Sequence, residues 1–217
     1  MTTRHRPTQI KKLHVNGDYT IFVTPDQVQI NIGIVTEGKN VTDIQKRNAE
    51  TTSAVISAIL QLGIANEKIK TTEFRIEPVY DFENGQQHFI GYRVIHQLQV
   101  NVSDIALIGP VIDQAIANGA TSVSNIQFSV SHPERYYQNA LKKAIEEAHQ
   151  KAIVISQTID AVLNPTPLKI EELSNRPVPY QSVQLFKSSA TPIQPGEMAI
   201  SANVKVEYQY FPRHRQQ

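Results

Sequence analysis

Residues 71–102 read TTEFRIEPVYDFENGQQHFIGYRVIHQLQVNV, and the fold turns on them. Two runs with period-two alternation flank Asn84-Gly85, a dipeptide that closes two-residue hairpins because both positions tolerate positive φ. In the second run Ile90, Tyr92, Val94, His96, Leu98, Val100 and Val102 share one face. In the first, Thr72, Phe74, Ile76 and Tyr80 do the same. A pleated strand sends alternate side chains to opposite sides, so both sets are expected to face a core.

The chain upstream supplies a partner for this hairpin. Residues 27–36 alternate Val28, Ile30, Ile32 and Ile34 against Gln27, Gln29, Asn31 and Gly33. An earlier strand over 12–23 is expected to break near Gly17-Asp18, with Pro25-Asp26 as the turn between the two. Asn40 is placed to cap a helix reaching Leu62, with Ile44, Asn48, Thr52, Val55, Ile59 and Leu62 on one stripe. Gly63 stands where a left-handed terminus is wanted.

Downstream, Ser103-Asp104 opens a second helix to about Asn118, in which Pro110 demands a kink or a fresh start. A strand over 123–131 follows. Ser131-His132-Pro133-Glu134 has the spacing of a capping box. The helix after it runs to about Ile159, with Tyr137, Leu141, Ala144, Ala148, Ala152, Ile155 and Ile159 as its core stripe. Residues 168–173 and 198–210 are the remaining strands, the last burying Ile200, Ala202, Val204, Val206 and Tyr208. The order predicts an α+β fold of mostly antiparallel sheets with helices on one face, divisible into two related lobes. Residues 1–11 form an N-terminal arm, 12–210 the folded part, and 211–217 a polar tail.

Composition excludes several kinds of chemistry. There are 21 basic and 20 acidic residues, so no net field draws the chain to nucleic acid or an anionic membrane. Cysteine is absent, which removes disulfides, thiolate catalysis and Cys-ligated zinc. No run approaches the length of a membrane-spanning helix, and residues 1–15 show no apolar leader core. That sign taken alone leads to the expectation of a cytoplasmic chain, unless a leader has been removed. The seven histidines show no H-E-x-x-H spacing; His149 with Glu146 is at best a two-ligand edge. His96, on an apolar face, fits a hydrogen-bonded core histidine. Glu171-Glu172 has no visible catalytic partner, and Tyr136, Tyr137, Tyr208 and Tyr210 fit packing roles. No G-x-S-x-G elbow, P-loop or dinucleotide fingerprint occurs.

Several segments, in this order, resemble the SIMPL-domain (DUF541) family, which includes periplasmic immunogenic proteins. They are VTPDQVQINIGIVTEG, LQLGIANEKIKTTEF, IGYRVIHQLQVNVSD, IANGATSV with IQFSV, ALKKAIEEAHQKA and PGEMAISANVKVEYQY, and the resemblance covers about residues 12 to 210. The resemblance implies an α+β fold, self-assembly in some members, export to the cell envelope, and no established catalytic residue.

One pattern points to association. Gln27, Gln29 and Asn31, then Gln97, Gln99 and Asn101, then Asn125, Gln127 and Ser129 line the outward faces of three predicted strands. Solvated sheet faces more often carry Lys and Glu, and an uncharged polar face costs less to desolvate. Residues 174–197 carry Tyr180, Val183, Leu185 and Phe186, apolar groups that fit a packed arm. The expected function is therefore a non-enzymatic, self-associating interaction protein whose partner is a second copy, with no cofactor. The alternative is a binder of nucleic acid or another anionic polymer through Arg4, Arg6, Lys11, Lys12, Arg213 and Arg215. An enzyme built from scattered polar residues is the third class.

Overall fold

The computed structural model describes residues 11–83, 85–173, 183–184 and 194–213. Its elements are β1 (Lys11–Val23), β2 (Gln27–Gly38), α1 (Val41–Gln61), β3 (Ile69–Glu83), β4 (Gln86–Val102), α2 (Ile108–Ala117), β5 (Ser122–Ser129) and α3 (Pro133–Thr158). After them come β6 (Ala161–Leu163), β7 (Lys169–Glu172), β8 (Val183–Gln184), β9 (Gln194–Pro195) and β10 (Met198–Pro212). Two antiparallel four-stranded sheets hold most of the strands, as an α+β fold requires. The chain divides into two compact units: residues 24–131 with 181–196, and a unit assembled from 1–23, 132–180 and 197–217.

In the 24–131 unit the strand order is β3-β4-β2-β5. The predicted hairpin is present, with Gly85 at φ 79 in the turn. Val28, Ile30, Ile32 and Ile34 are all buried and pack with Val55 and Ile59 of α1 and Val111 of α2. The Asn40 side chain accepts from the Thr42 and Asp43 amides, capping α1 as expected. Gly63 adopts φ 85 after the helix. Pro110 lies in the first turn of α2, where its missing N–H costs nothing, so the helix starts afresh after a 3-10 turn at Ile105–Leu107.

In the other unit β1 pairs along its whole length with β10, while β6 and β7 line the other side of β10. Met198, Ile200, Ala202, Val204, Val206 and Tyr208 are buried, the last four packed with Ala140, Ala144, Ala148 and Ala152 of α3. The expected break at Gly17-Asp18 does not occur: β1 is continuous. Gly17 serves packing instead. A Cβ placed there would lie 1.9 Å from the Ala144 carbonyl oxygen and 2.9 Å from the Ala148 Cβ. Only a residue without a side chain lets the helix settle so close.

Other expectations need correcting. The core stripe of α3 is Ala140, Ala144, Ala148, Ala152 and Ser156, while Ile155 and Ile159 are 38% and 51% exposed. Small residues at every fourth position make a shallow groove, slightly inclined to the helix axis, along which the sheet approaches closely. Ser131 does not cap α3, because its amide and hydroxyl both bond the Asp26 carboxylate, at 2.7 and 2.6 Å. The largest correction concerns β3. Phe74, Ile76 and Tyr80 do lie on the helix side of the sheet, opposite His96, Val94 and Phe89, yet they are exposed, as is Thr72. β3 is the sheet edge, and register shifts at Thr71/Glu73 and Val79/Tyr80 bend it. Ile90 falls at the second shift and is also exposed.

Candidate functional site

The sheet register gathers the amides that the sequence distributes over three strands. Gln29 pairs with Asn101 on one side and Gln127 on the other; Asn31 pairs with Gln99 and Ser124; Gln97 lies opposite Gly33. All of these stand on the face opposite the one that packs α1 and α2. Gln27, Gln29, Asn31, Gln97, Gln99 and Asn101 are each half-buried. The Asn31 Oδ1 is fully buried and, among the described residues, accepts no hydrogen bond. A shallow depression of about 240 Å³ opens at one end of the row, lined by Gln27, Gln29, Lys68, Asn101 and Ser129 among others. Asn125 departs from the expected row. It sits in the β5 bulge at φ 54, accepts from Gln127 Nε2 at 3.0 Å, and cedes its place on the face to Ser124.

Toward β3 the same face becomes charged. Arg75 lies between Glu73 and Glu77, at 3.5 and 3.2 Å, and Arg93 joins Glu37 at 2.6 Å and Glu77 at 3.8 Å. The opposite face of the hairpin is aromatic. Tyr80, Phe89 and Tyr92 stack edge-on in series, with centroids 5.8 and 5.1 Å apart. Phe82 is 72% exposed and Phe74 51%. Sequence reasoning assigned Phe74, Tyr80 and Tyr92 of this row to the core. The signal it passed over is Pro78, since a proline inside a strand marks an edge.

His96 behaves as a core histidine. Its Nδ1 lies 3.2 Å from the Thr52 hydroxyl and its Nε2 3.0 Å from that of Thr71, and Phe74 packs edge-on at 5.3 Å. Burial holds its pKa below the ordinary imidazole value. Asn48 is fully buried nearby and donates to the Ile34 carbonyl and the Thr36 hydroxyl.

In the β1/β10 unit the other sequence candidates disperse. His149 Nδ1 faces the Tyr208 hydroxyl at 3.2 Å, while Glu146 pairs with Lys142 and Lys143, so the supposed ligand edge does not form. Burial raises the Tyr208 pKa. Glu171 bonds Lys169, and Glu172 accepts from the Tyr137 hydroxyl. Among the described residues no three His, Asp or Glu converge on a metal position. Sequence reasoning missed one cluster. Lys12 and His14 both reach Glu207, at 2.7 and 2.8 Å, beside a hollow of about 220 Å³ that Lys169, Glu171 and Lys205 complete. Lys12 and His14 hold the Glu207 carboxyl below its usual range. Alternating charges on three adjacent strands were the available signal. The lining holds a carboxylate–imidazole pair with no hydroxyl beside it for that pair to activate.

An apolar groove of about 610 Å³ runs between β1 and α3, lined by Val15, Gln150, Val154 and Ile155 among others. At its end the Asp18 amide donates to Glu147 at 2.6 Å, and Lys151 donates to the Asn16 carbonyl at 3.2 Å. Helix side chains thus cap this sheet edge. Of the basic ends, Lys12 is paired as above and Arg213 lies 4.0 Å from Asp160. Arg4, Arg6, Arg215, Tyr180, Leu185 and Phe186 lie outside the described residues, and Val183 belongs to the two-residue β8. Among the described residues no helix is long and apolar enough to cross a membrane.

Comparison with known proteins places this architecture. The chain is 23% identical over 215 residues to a "26 kDa periplasmic immunogenic protein" of Brucella melitensis, covering 93% of this chain and 86% of that protein. It is also 23% identical over 194 residues to "Uncharacterized protein YggE" of Escherichia coli, covering 89% and 78% respectively. A YggE of Edwardsiella ictaluri is 19% identical over 151 residues, covering 69% and 63%. Residues 13–208, from the start of β1 almost to the end of β10, match the family described as SIMPL, a protein of unknown function (DUF541), and the chain belongs to that family.

Proposed function

We propose that this chain is a non-enzymatic interaction module of the cell envelope that associates with copies of itself through the amide face of the β3-β4-β2-β5 sheet. The observation that carries this is the row of half-buried amides, Gln27, Gln29, Asn31, Gln97, Gln99 and Asn101, that the register gathers on one sheet face. These six side chains present donors and acceptors without charge, so covering them carries little desolvation penalty. The envelope assignment draws on the Brucella relative, whose name places that protein in the periplasm.

Light scattering on the full chain tests the association. The expected mass is a multiple of 24.4 kDa. Gln97→Glu combined with Gln99→Lys, which charges the face without touching the core, lowers that mass. A wild-type chain that stays at 24.4 kDa at all concentrations refutes self-association, and an unchanged mass in the double variant removes the amide face from it.

A further inference from the structure

We propose that the outer edge of β3 pairs antiparallel with β3 of a second copy of this chain, in the register that sets Ile76 opposite the partner's Ile76. This rests on the self-association proposed above and adds a second surface to it.

The sheet edges are guarded unequally. On β1, Glu147 and Lys151 occupy the outward backbone groups of Asp18 and Asn16. On β5 the bulge at Asn125 twists the edge away from a flat partner. β6 and β7 are only three and four residues long. β3 is 15 residues long and has no described strand on its outer side.

Ladder alternation fixes which groups point outward. The Gly33 carbonyl accepts from Thr121 on the β5 side, and the Gln97 carbonyl accepts from the Thr72 hydroxyl on the β3 side. Glu73, Arg75 and Glu77, opposite Gln97, Ile95 and Arg93, therefore bond β4. Phe74, Ile76 and Pro78 turn their backbone groups away from the sheet.

Charge selects the register. With Ile76 opposite the partner's Ile76, Arg75 faces the partner's Glu77 and Glu77 faces the partner's Arg75. The two Ile76 residues exchange both N–H···O bonds, and Phe74 N–H donates to the carbonyl of the partner's Pro78. The missing proline N–H then leaves only the Phe74 carbonyl unpaired. The neighbouring register on one side sets Arg75 against the partner's Arg75 and Glu73 against the partner's Glu77. The next one runs into the bend at Thr71/Glu73.

The apolar face agrees. Phe74, Ile76, Tyr80, Phe82 and Phe89 are between 37% and 72% exposed. Together they leave on the order of 500 Å² of mostly aromatic surface uncovered, at the upper end of what a monomer carries and over half of one side of a standard interface.

The chain has no cysteine, so a single introduced thiol reports only on a second copy. Directly opposed residues of a hydrogen-bonded antiparallel pair have Cα atoms about 5.5 Å apart, within disulfide reach. In the full chain, Ile76→Cys treated with copper-phenanthroline is expected to run mostly as a covalent dimer. Phe82→Cys, whose two copies would lie about 40 Å apart in this register, is expected not to. Ile76→Pro, which deletes an N–H that the chain's own sheet does not use, should weaken association at least tenfold with an unchanged circular dichroism spectrum. An Ile76→Cys chain that stays monomeric on oxidation while the wild type assembles overturns the β3 pairing alone, and so does equal cross-linking of Phe82→Cys. A wild type that is monomeric at all concentrations overturns both this pairing and self-association.

Discussion

Replacing Gly17 by alanine adds one methyl group at the point where α3 crosses β1. That Cβ would sit 1.9 Å from the Ala144 carbonyl oxygen, against an ordinary approach of about 3.4 Å. The obstacle is helix backbone, so no side-chain rotation relieves it; α3 must lift by about 1.5 Å or β1 must sag. Ala140, Ala148, Ala152 and Ser156 share the same contact line, so lifting the helix opens voids along all of it. Overpacking costs about 1–3 kcal/mol, and lost packing along the stripe should bring the total to about 3 kcal/mol or more. Gly63→Ala is the control. It meets nothing within 4 Å, but its φ of 85 makes alanine strained by about 1 kcal/mol. Urea denaturation monitored by amide exchange separates the two. Gly17→Ala should lose protection in β1, α3 and β10, and Gly63→Ala only in the 24–131 unit. A Gly17→Ala protein within about 0.5 kcal/mol of wild type would refute the packing argument, since that is the scatter of surface substitutions.

Stability of the 24–131 unit should fall in mild acid through His96. Its folded pKa lies below the ordinary imidazole value of 6.5, so the unfolded chain binds the proton first. The stabilisation is complete above pH 6.5 and is lost as pH falls from there through the folded pKa. His96→Gln should flatten that slope in urea titrations between pH 7 and 5. Asn48→Asp should be the more damaging change. It removes the donor to the Ile34 carbonyl and puts a charge at a position with no exposure, costing about 3–5 kcal/mol or forcing the carboxyl to stay protonated. A denaturation midpoint matching that of wild type at pH 7 would contradict it.

Much of the fold was legible because periodicity reports burial directly. The alternation of Val28, Ile30, Ile32 and Ile34, and of Ile200 through Tyr208, survives intact in the structure. Asn40, Gly63 and Asn84-Gly85 mark their elements through local backbone chemistry, which needs no tertiary context. Failures came where one residue answers to two constraints. Gly17 looks like a strand breaker until a helix is laid across it. Ser131 has capping-box spacing, but Asp26, far away in sequence, takes its hydroxyl. Phe74, Ile76 and Tyr80 alternate as core residues do, and alternation cannot say whether a helix reaches far enough to cover them. The amide row was readable strand by strand. That Gln29, Asn101 and Gln127 form one line depends on the β4-β2-β5 order, which no local pattern encodes.

The pairing of β1 with β10 also orders events during synthesis. Residues 24–131 emerge from the ribosome as a nearly self-sufficient block and can close their sheet as soon as β5 appears. β1 emerges before them but must wait for β10, which arrives after almost everything else. During that interval Leu13, Val15 and Ile21 lack their β10 neighbours, and the alanine stripe of α3 has only β1 for a floor. A nascent chain stalled before Met198 is therefore half folded, with α3 as the sole support for a first strand whose ladder partner has yet to be made.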